Sequence, residues 1–366
     1  MADISKISGV AWADEVANLS GVDAASIASV GGDAAPGGST QASRWLVVGN
    51  AGKIASTDEA DASSGWSELV DLGNMGLQDI AIGEDNSGNK RWVAQGDAGY
   101  LAEIWYANNS LDLTDTNNWS SVTHTNNNIA ADAGGPGVAW AHNVWIAGGN
   151  AYNDGDSYCT MMASIDGGTN WSIVDEGNTV NDSTRVVCYK DGTTWFMGHQ
   201  SHIWKSVDDA ASWSDTATLE GTKDIYAMAY NGSGLGVAVL QSGNIYTSDD
   251  DWATPTERTS ATGAYNLFGV VYAGGTINKW VACGANGRLQ YSADGITWTA
   301  IWEGDDGTWG TSHIRGIATD DTTIVIVGAS GKIATSTDGT SFTSRTSNMS
   351  VTLNNVACDV IGAGMR

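Results

Sequence analysis

The sequence predicts an all-β fold, a seven-bladed β-propeller of four-stranded blades. A short motif with a small hydroxyl residue, an aspartate and an aromatic residue, as in SADGITW at 292–298, recurs along the chain. Taking one aspartate from each copy, at 58, 112, 166, 208, 250, 294 and 338, gives steps of about 42 to 54 residues, the length of one blade. The composition agrees, because 47 glycines and 17 tryptophans beside three prolines are typical of many short strands and tight turns.

Each repeat has the same order of elements. An innermost strand such as LQDIAI (77–82) is followed by a second apolar strand, and a G-x-x-G turn such as GANGRL (284–289) leads into the third. The aspartate turn then joins the third strand to the fourth. This order places the G-x-x-G turns and the inter-blade loops on one face of the propeller and the aspartate turns on the other.

The aspartate turns are assigned a structural role. The carboxylate accepts hydrogen bonds from backbone N–H groups of its own turn, glycine supplies a positive φ, and the tryptophan packs between adjacent blades. A motif that recurs once per blade is not a catalytic signature. The residues assigned to this role are Asp58, Asp166, Asp208, Asp294, Asp338, Trp171, Trp213 and Trp298.

The two ends of the propeller complement each other. No innermost strand precedes Trp45, and the segment LNNVACDV at 353–360 has no blade after it. The sequence therefore predicts that residues 351–361 complete the first blade and close the ring, which removes the exposed sheet edges.

The chain divides into two domains, an N-terminal arm at residues 1–40 and the propeller at residues 41–366. The arm repeats a pattern of apolar residues around a glycine, as in ISKISGVAWAD at 4–14. One such unit buries too little apolar surface to be stable alone, so the arm is expected to dock on a partner or on the propeller.

Charge and cysteine content exclude several classes of function. The net charge of −26 repels nucleic-acid phosphates and anionic membranes. The four cysteines include no C-x-x-C pair, so neither disulfides nor a metal site is predicted. Because no segment approaches the roughly 20 apolar residues of a membrane span and the N-terminus lacks a signal-like pattern, we expect a soluble protein made in a reducing cytoplasm.

The S-x-D-G-x-x-W boxes and the G-x-x-G turns resemble those of the Asp-box (BNR-type) propellers, most of all the Ycf48-like photosystem-assembly group and related bacterial and viral propellers. The resemblance covers about residues 41–366. It implies the fold and no single activity, since sialidases, glucanases, sorting receptors and assembly factors share the box. The SGV-rich arm resembles the N-termini of structural proteins of marine tailed phages.

Together these resemblances imply a non-enzymatic structural or binding module of a tailed-phage virion, associated with the tail or the capsid. Residues 1–40 would dock on other virion proteins, and the propeller would contact host surface glycan or protein, or neighbouring virion proteins, within an oligomeric assembly. Two alternatives remain, a Ycf48-like cellular assembly factor and an Asp-box glycan hydrolase. The arginines are scattered and form no sialidase-like triad.

Three kinds of cluster have both a chemical and a structural interpretation. Carboxylate pairs are suited to general acid–base catalysis, or they form solvated turns. An aspartate triplet could bind calcium, or it is a shortened aspartate turn. A histidine pair could bind a metal, or it belongs to a substituted G-x-x-G turn. The turn interpretation is preferred each time, so no catalytic residue, metal or cofactor is predicted. The clusters are Asp305 with Asp306, Asp320 with Asp321, Asp249 to Asp251, and His199 with His202.

One group of residues favours a binding site on the G-x-x-G face. Lys53, Arg288 and Lys332 hold the same turn position in three consecutive blades, and the loop at 302–315 adds aromatic and basic residues to that sector. Cations beside aromatic rings suit glycan or protein contacts. The alternative is that the cations cap exposed turns and the tryptophans fill a gap between blades. The predicted binding residues are Lys53, Arg288, Lys332, Trp302, Trp309 and Arg315, with His313 nearby.

Overall fold

The structure is a computed structural model. It describes residues 44–59, 61–73, 75–97, 102–123, 129–130, 137–151, 161–174, 184–219, 221–304 and 309–359. The arm expected at residues 1–40 lies outside the described residues. Within the described residues, no helix is long and apolar enough to cross a membrane.

The strands form seven antiparallel four-stranded sheets arranged around a channel, as the sequence predicts. Blade 1 contains β1 (Trp45–Gly49), β2 (Lys53–Thr57) and β3 (Ser67–Asp71). Blade 2 contains β4 (Gly76–Glu84), β5 (Lys90–Asp97), β6 (Ala102–Asn108) and β7 (Ser120–Thr123). Blade 3 contains β9 (Val138–Ala141), β10 (Val144–Gly148), β12 (Met161–Ser164) and β13 (Ser172–Ile173), and β8 (Ile129–Ala130) pairs with β11 (Asn150–Ala151) beside it.

The remaining blades follow in the same order. Blade 4 contains β14 (Thr184–Asp191), β15 (Thr194–His199), β16 (His202–Ser206) and β17 (Ser214–Thr218). Blade 5 contains β18 (Ile225–Tyr230), β19 (Gly236–Leu240), β20 (Ile245–Ser248) and β21 (Thr256–Arg258). Blade 6 contains β22 (Leu267–Ala273), β23 (Lys279–Gly284), β24 (Arg288–Ser292) and β25 (Trp298–Glu303). Blade 7 contains β26 (Ile314–Thr319), β27 (Ile324–Gly328), β28 (Ile333–Ser336) and β29 (Thr343–Arg345).

The C-terminal strand closes the ring, which confirms the sequence prediction. β30 (Leu353–Cys358) pairs antiparallel with β1 and becomes the innermost strand of blade 1. Just beyond it, the Asp359 N–H donates to the Arg44 carbonyl and the Arg44 N–H donates to the Asp359 carboxylate, both at 2.9 Å. The start and the end of the described propeller are therefore fastened to each other.

Apolar residues from neighbouring blades share each part of the core. Trp298, at the start of β25 in blade 6, packs in one cluster with Val237 of blade 5 and Leu267 of blade 6. It is 7% exposed. The tryptophan of an aspartate turn thus joins two blades, because a single four-stranded sheet cannot cover its own apolar face.

Hydrogen bonds within the aspartate turn of blade 6 fix its shape. The Asp294 carboxylate accepts the Thr297 N–H at 2.8 Å and the Ser292 hydroxyl at 2.9 Å. Ser292 in turn accepts the Gly295 N–H at 2.8 Å, and the Trp298 indole donates to the Gly295 carbonyl at 3.1 Å. The hydrogen bond from the Thr297 backbone is the main reason why the pKa of Asp294 is lowered.

The same serine–aspartate contact recurs in other blades, at 2.8 to 3.0 Å, for Asp166, Asp208 and Asp338. Trp171 and Trp213 also donate to carbonyls of their own turns. Asp58 differs from the expected pattern. Its carboxylate lies 3.1 Å from Arg44 Nε, while the Thr57 hydroxyl braces the longer turn of blade 1.

Candidate functional site

Six innermost strands within the described part of the chain carry a β-bulge near their first residues. The pairing register shifts by one residue in β4, β14, β18, β22, β26 and β30. A bulge leaves one residue out of the ladder and redirects its side chain. The bulged residues are Gln78, Arg185, Tyr226, Phe268, Arg315 and Asn354, and all six line the central channel.

The channel encloses a cavity of about 530 Å³ between the innermost strands. The bulged residues lie near the start of these strands, on the side of the G-x-x-G turns. We call this end the channel mouth. A concave space of this size is within the range of small-ligand sites in proteins.

An aromatic row forms one side of the channel mouth. The rings of Tyr226 and Phe268 meet edge to face with centroids 5.4 Å apart, and those of Phe268 and His313 meet in the same way at 5.9 Å. Arg185 and Arg315 lie at the two ends of this row. We call these five residues, Arg185, Tyr226, Phe268, His313 and Arg315, the channel-mouth arc.

His313 is held in one orientation by the neighbouring G-x-x-G turn. Its Nδ1 accepts the backbone N–H of Asn286 at 3.0 Å. Burial, and secondly the charge of Arg315, lower the pKa of His313, so the ring is neutral at pH 7. A neutral imidazole that accepts at Nδ1 carries its hydrogen on Nε2, which is therefore a donor.

The two arginines of the arc have different surroundings. Arg185 lies over the Tyr226 ring at 5.7 Å, and its Nε is 3.4 Å from the Asp224 carboxylate. The Arg315 side chain makes no hydrogen bond, ion pair or ring contact within the described residues. It is exposed to the channel, yet the enclosing strands desolvate it and lower its pKa. An arginine remains charged at any physiological pH, so Arg315 is a free positive charge.

Side chains on the opposite wall of the channel are engaged with each other. The Asp79 carboxylate accepts backbone N–H groups of Val138 at 2.7 Å and Ile80 at 2.8 Å, and it also accepts the Asn355 side chain. Asn354 donates to the Leu77 carbonyl at 2.7 Å. These contacts join the innermost strands of blades 1, 2 and 3.

The binding residues predicted from the sequence are engaged with different partners. Lys53 is paired with Glu68 at 2.6 Å and with Asp71 at 2.9 Å. Arg288 lies over the Tyr265 ring at 4.1 Å. No hydrogen bond or ion pair within the described ranges joins Lys53 to Arg288, although both lie on the G-x-x-G face.

The loop between blades 6 and 7 has a packing role. Trp302 and Trp309 stack with centroids 5.9 Å apart, and Trp309 is 1% exposed within the cluster between the two blades. Lys332 donates to the Trp309 carbonyl at 2.7 Å and to Ser312 at 3.0 Å. Of the six predicted binding residues, only Arg315 reaches the channel mouth.

The other chemical candidates are engaged in hydrogen bonds or ion pairs with other residues of the propeller. His202 pairs with Asp215 at 2.9 Å, and Asp251 accepts both Lys190 and Lys205. Asp320 and Asp321 accept backbone N–H groups. The side chain of His199 and the pair Asp305 and Asp306 lie outside the description. Across the described ranges, no group of three or more acidic, histidine or cysteine side chains is placed to hold a metal ion.

The sequence predicted the innermost strands but not the ring of side chains that their bulged residues form at the channel mouth. A signal was present, since the second residue of these otherwise apolar segments is large and polar or aromatic, as in LQD, TRV and IRG. Alternation along a regular strand would assign that residue to one face of the sheet. Only the bulge directs it into the channel.

Neither a protein-family model nor a curated protein sequence matches this chain. Among solved structures, it is similar to YCF48 from Cyanidioschyzon merolae, with 15% identity and a TM-score of 0.55 over 79% of this chain and 90% of that chain. It is also similar to YCF48 bound to D1 peptide, with 14% identity and a TM-score of 0.52 over 73% and 81%. The computationally designed Ika8 protein matches with 14% identity and a TM-score of 0.51 over 87% and 91%. At such identities the similarity shows the propeller fold alone.

Proposed function

We propose that this propeller is a non-enzymatic binding module that holds an anionic group of a partner protein in the channel mouth. The observation that carries the proposal is the state of Arg315. Every other described lysine and arginine has a hydrogen bond, an ion pair or an aromatic ring as partner. Arg315 has none, although the chain carries 42 acidic residues.

A free charge in a partly enclosed channel is unfavourable without a partner. The desolvation of Arg315 is a cost in the unbound protein that an incoming anion offsets. The attraction is also stronger there than in bulk water, because the surrounding strands lower the local dielectric constant. A charge-assisted pair with a carboxylate is the expected contact.

A protein partner is favoured by the character of the site and by analogy. Aromatic side chains and arginine are the residue types that contribute most to protein–protein binding. The similar YCF48 propeller was solved bound to a D1 peptide. This analogy supports a peptide ligand for the present chain, although the two proteins are similar only in fold.

The module is further proposed to act in a tailed-phage particle, with residues 1–40 docked on other virion proteins and the propeller facing the host surface or neighbouring subunits. This rests on the sequence of the arm.

Limited proteolysis tests the arm. We expect protease to cleave within residues 1–40 in the isolated protein and to spare them in the assembled particle, with mass spectrometry locating the cuts. Protection in the isolated monomer would contradict docking on a virion partner.

Binding of a blocked acidic peptide, acetyl-GEFEG-amide, tests the mouth. Isothermal titration calorimetry should show binding that Arg315→Gln weakens at least tenfold and that Lys279→Gln, a charge loss on the opposite face, leaves unchanged. An equal affinity for wild type and Arg315→Gln would refute the site. Turnover of fluorogenic glycosides would refute the non-enzymatic part of the proposal.

A further inference from the structure

We infer that the ligand of the channel mouth is the C-terminal end of a peptide, with its terminal carboxylate on Arg315 and an aromatic last side chain against Tyr226 and Phe268. This inference rests on the proposed function and specifies its ligand. It follows from the charge of the mouth, the geometry of the aromatic row, the shape of the channel and the state of the opposite wall.

The charge of the mouth selects a monoanion. Asp224 lies 3.4 Å from Arg185 Nε and offsets the charge of that arginine. Arg315 then supplies the one positive charge on this side of the mouth that contacts no described acidic side chain. A carboxylate matches this charge and pairs with a guanidinium through two parallel hydrogen bonds, whereas a phosphate dianion would be left with an excess negative charge.

His313 offers a second contact to the same carboxylate. Asn286 fixes its Nδ1 as an acceptor, so the neutral ring presents Nε2–H as a donor. His313 and Arg315 are two residues apart at the start of β26, and both line the channel. Their donors therefore suit the two oxygens of one carboxylate.

The aromatic row suits a flat side chain next to that carboxylate. Tyr226, Phe268 and His313 are half-buried and meet edge to face. A further ring adds to such a row in an offset-stacked or edge-to-face arrangement. A C-terminal phenylalanine or tyrosine carries its ring and its carboxylate on adjacent atoms of one residue.

The shape of the mouth favours a chain end over an internal loop. The cavity of about 530 Å³ is enclosed by the innermost strands of all the blades. Small residues follow two of the bulged residues. A Cβ on Gly269 would lie 2.7 Å from Ile317, and one on Gly316 would lie 2.6 Å from the Asn355 backbone. The innermost strands are thus packed against each other below the bulges. A single chain that enters by its end fits this space more readily than the two chain segments of an internal loop.

The opposite wall argues against a sugar acid. A bound sugar needs several hydrogen-bonding side chains for its hydroxyl groups. Asn354 already donates to Leu77 and Asn50, and Asp79 already accepts from two backbone groups and from Asn355. Gln78 is the one bulged residue of that wall whose side chain makes no hydrogen bond within the described residues. The mouth is therefore better suited to a carboxylate with an aromatic ring than to a polyhydroxylated ligand.

The test compares four probes on the purified full chain by isothermal titration calorimetry. They are acetyl-GGGF with a free carboxylate, the same peptide amidated, acetyl-GGGA with a free carboxylate, and glucuronate. We expect acetyl-GGGF to bind best, amidation to weaken binding at least tenfold, and the alanine peptide to bind several-fold more weakly. The affinity for acetyl-GGGF should fall at least tenfold in Arg315→Gln and several-fold in Phe268→Leu. In Lys279→Gln it should equal the wild-type affinity.

The outcomes separate this inference from the proposed function. If amidation has no effect while acetyl-GEFEG-amide still requires Arg315, the chain-end inference is wrong and the anion-binding function stands. If glucuronate binds more tightly than acetyl-GGGF in an Arg315-dependent way, the ligand is a sugar acid and the inference is overturned. If no probe depends on Arg315, both proposals fail. The melting temperature of Phe268→Leu, compared with wild type, shows whether a weaker affinity reflects lost folding.

Discussion

The Asp79 carboxylate is buried among the innermost strands of the propeller. It accepts two backbone N–H groups and the side chain of Asn355, yet burial is the larger effect and raises its pKa to about 7. Its neighbours on β30 and β9 are uncharged, and the charged groups that face the same channel are Arg185 and Arg315 on the far wall. Asp79 therefore links three blades at a cost that depends on pH.

The raised pKa of Asp79 predicts a loss of stability as pH rises. Between about pH 4 and pH 7 the folded protein holds the proton of Asp79 more tightly than the unfolded chain, so the contribution of Asp79 to the free energy of unfolding falls through this window and levels off above it. The unfolding free energy of Asp79→Asn minus that of wild type should therefore increase as pH rises from 4 to 7. Urea unfolding of both proteins at several pH values measures the difference.

The aspartates of the turns titrate below the pH range in which Asp79 loses its proton. The pKa values of turn residues such as Asp294 and Asp338 are lowered, the latter to about 2, so their contribution is lost only as pH falls below about 4. A constant difference between wild type and Asp79→Asn from pH 4 to pH 7 would show that Asp79 titrates normally.

The turns show at the level of elements how far local sequence determines structure. The hydrogen bonds of the aspartate turn of blade 6 all lie between Ser292 and Trp298, so the short motif contains its own partners. The G-x-x-G turn of the same blade has a positive φ at both central residues, 55° at Asn286 and 68° at Gly287, as a type I′ hairpin turn requires. Both turns were therefore predictable from a few adjacent residues.

Replacing Gly287 by alanine tests why glycine occupies the G-x-x-G turn. A Cβ there would lie 2.0 Å from the Gly310 carbonyl oxygen, in addition to the strain of a positive φ. Gly88 has a φ of 78° with nothing within 4 Å of its Cβ position, so Gly88→Ala carries the strain alone. We expect thermal unfolding to show a loss of about 1 to 2 kcal/mol for Gly88→Ala and a larger loss for Gly287→Ala. Equal losses would mean that the Gly310 loop moves aside freely.

Closure of the ring is the property of the whole molecule that most directly affects its stability. Within blade 1, β30 is hydrogen-bonded to β1. It also buries Leu353, Val356 and Cys358 in the cluster between blades 7 and 1. Its removal would also leave β1 as an open edge strand, which is prone to pair with other chains.

A chain ending at Thr352 should be less stable than one ending at Asp359, which keeps β30. Size-exclusion chromatography should show association of the shorter chain, and hydrogen exchange should show lost protection at Trp45–Gly49. A synthetic peptide of residues 353–359 should restore that protection. If both chains exchange alike in β1, closure by β30 does not stabilise blade 1.

The sequence by itself determined the number of blades, the order of elements in each, the closing strand and the faces on which the two kinds of turn lie. These follow from a repeated pattern whose contacts lie within one blade or between adjacent strands. It also named Arg315, but grouped it with Trp302 and Trp309, whose rings pack between blades.

Only the tertiary structure decided which residues meet in the channel mouth. Tyr226, Phe268 and Arg315 come from three different blades, and each reaches the channel because a bulge shifts the register of its strand. Whether a cation is free or paired also depends on contacts that are distant in sequence, as Lys332 with Trp309 shows. The physical reason is that register and pairing are set by the packing of whole strands, whereas a turn is set by its own few residues.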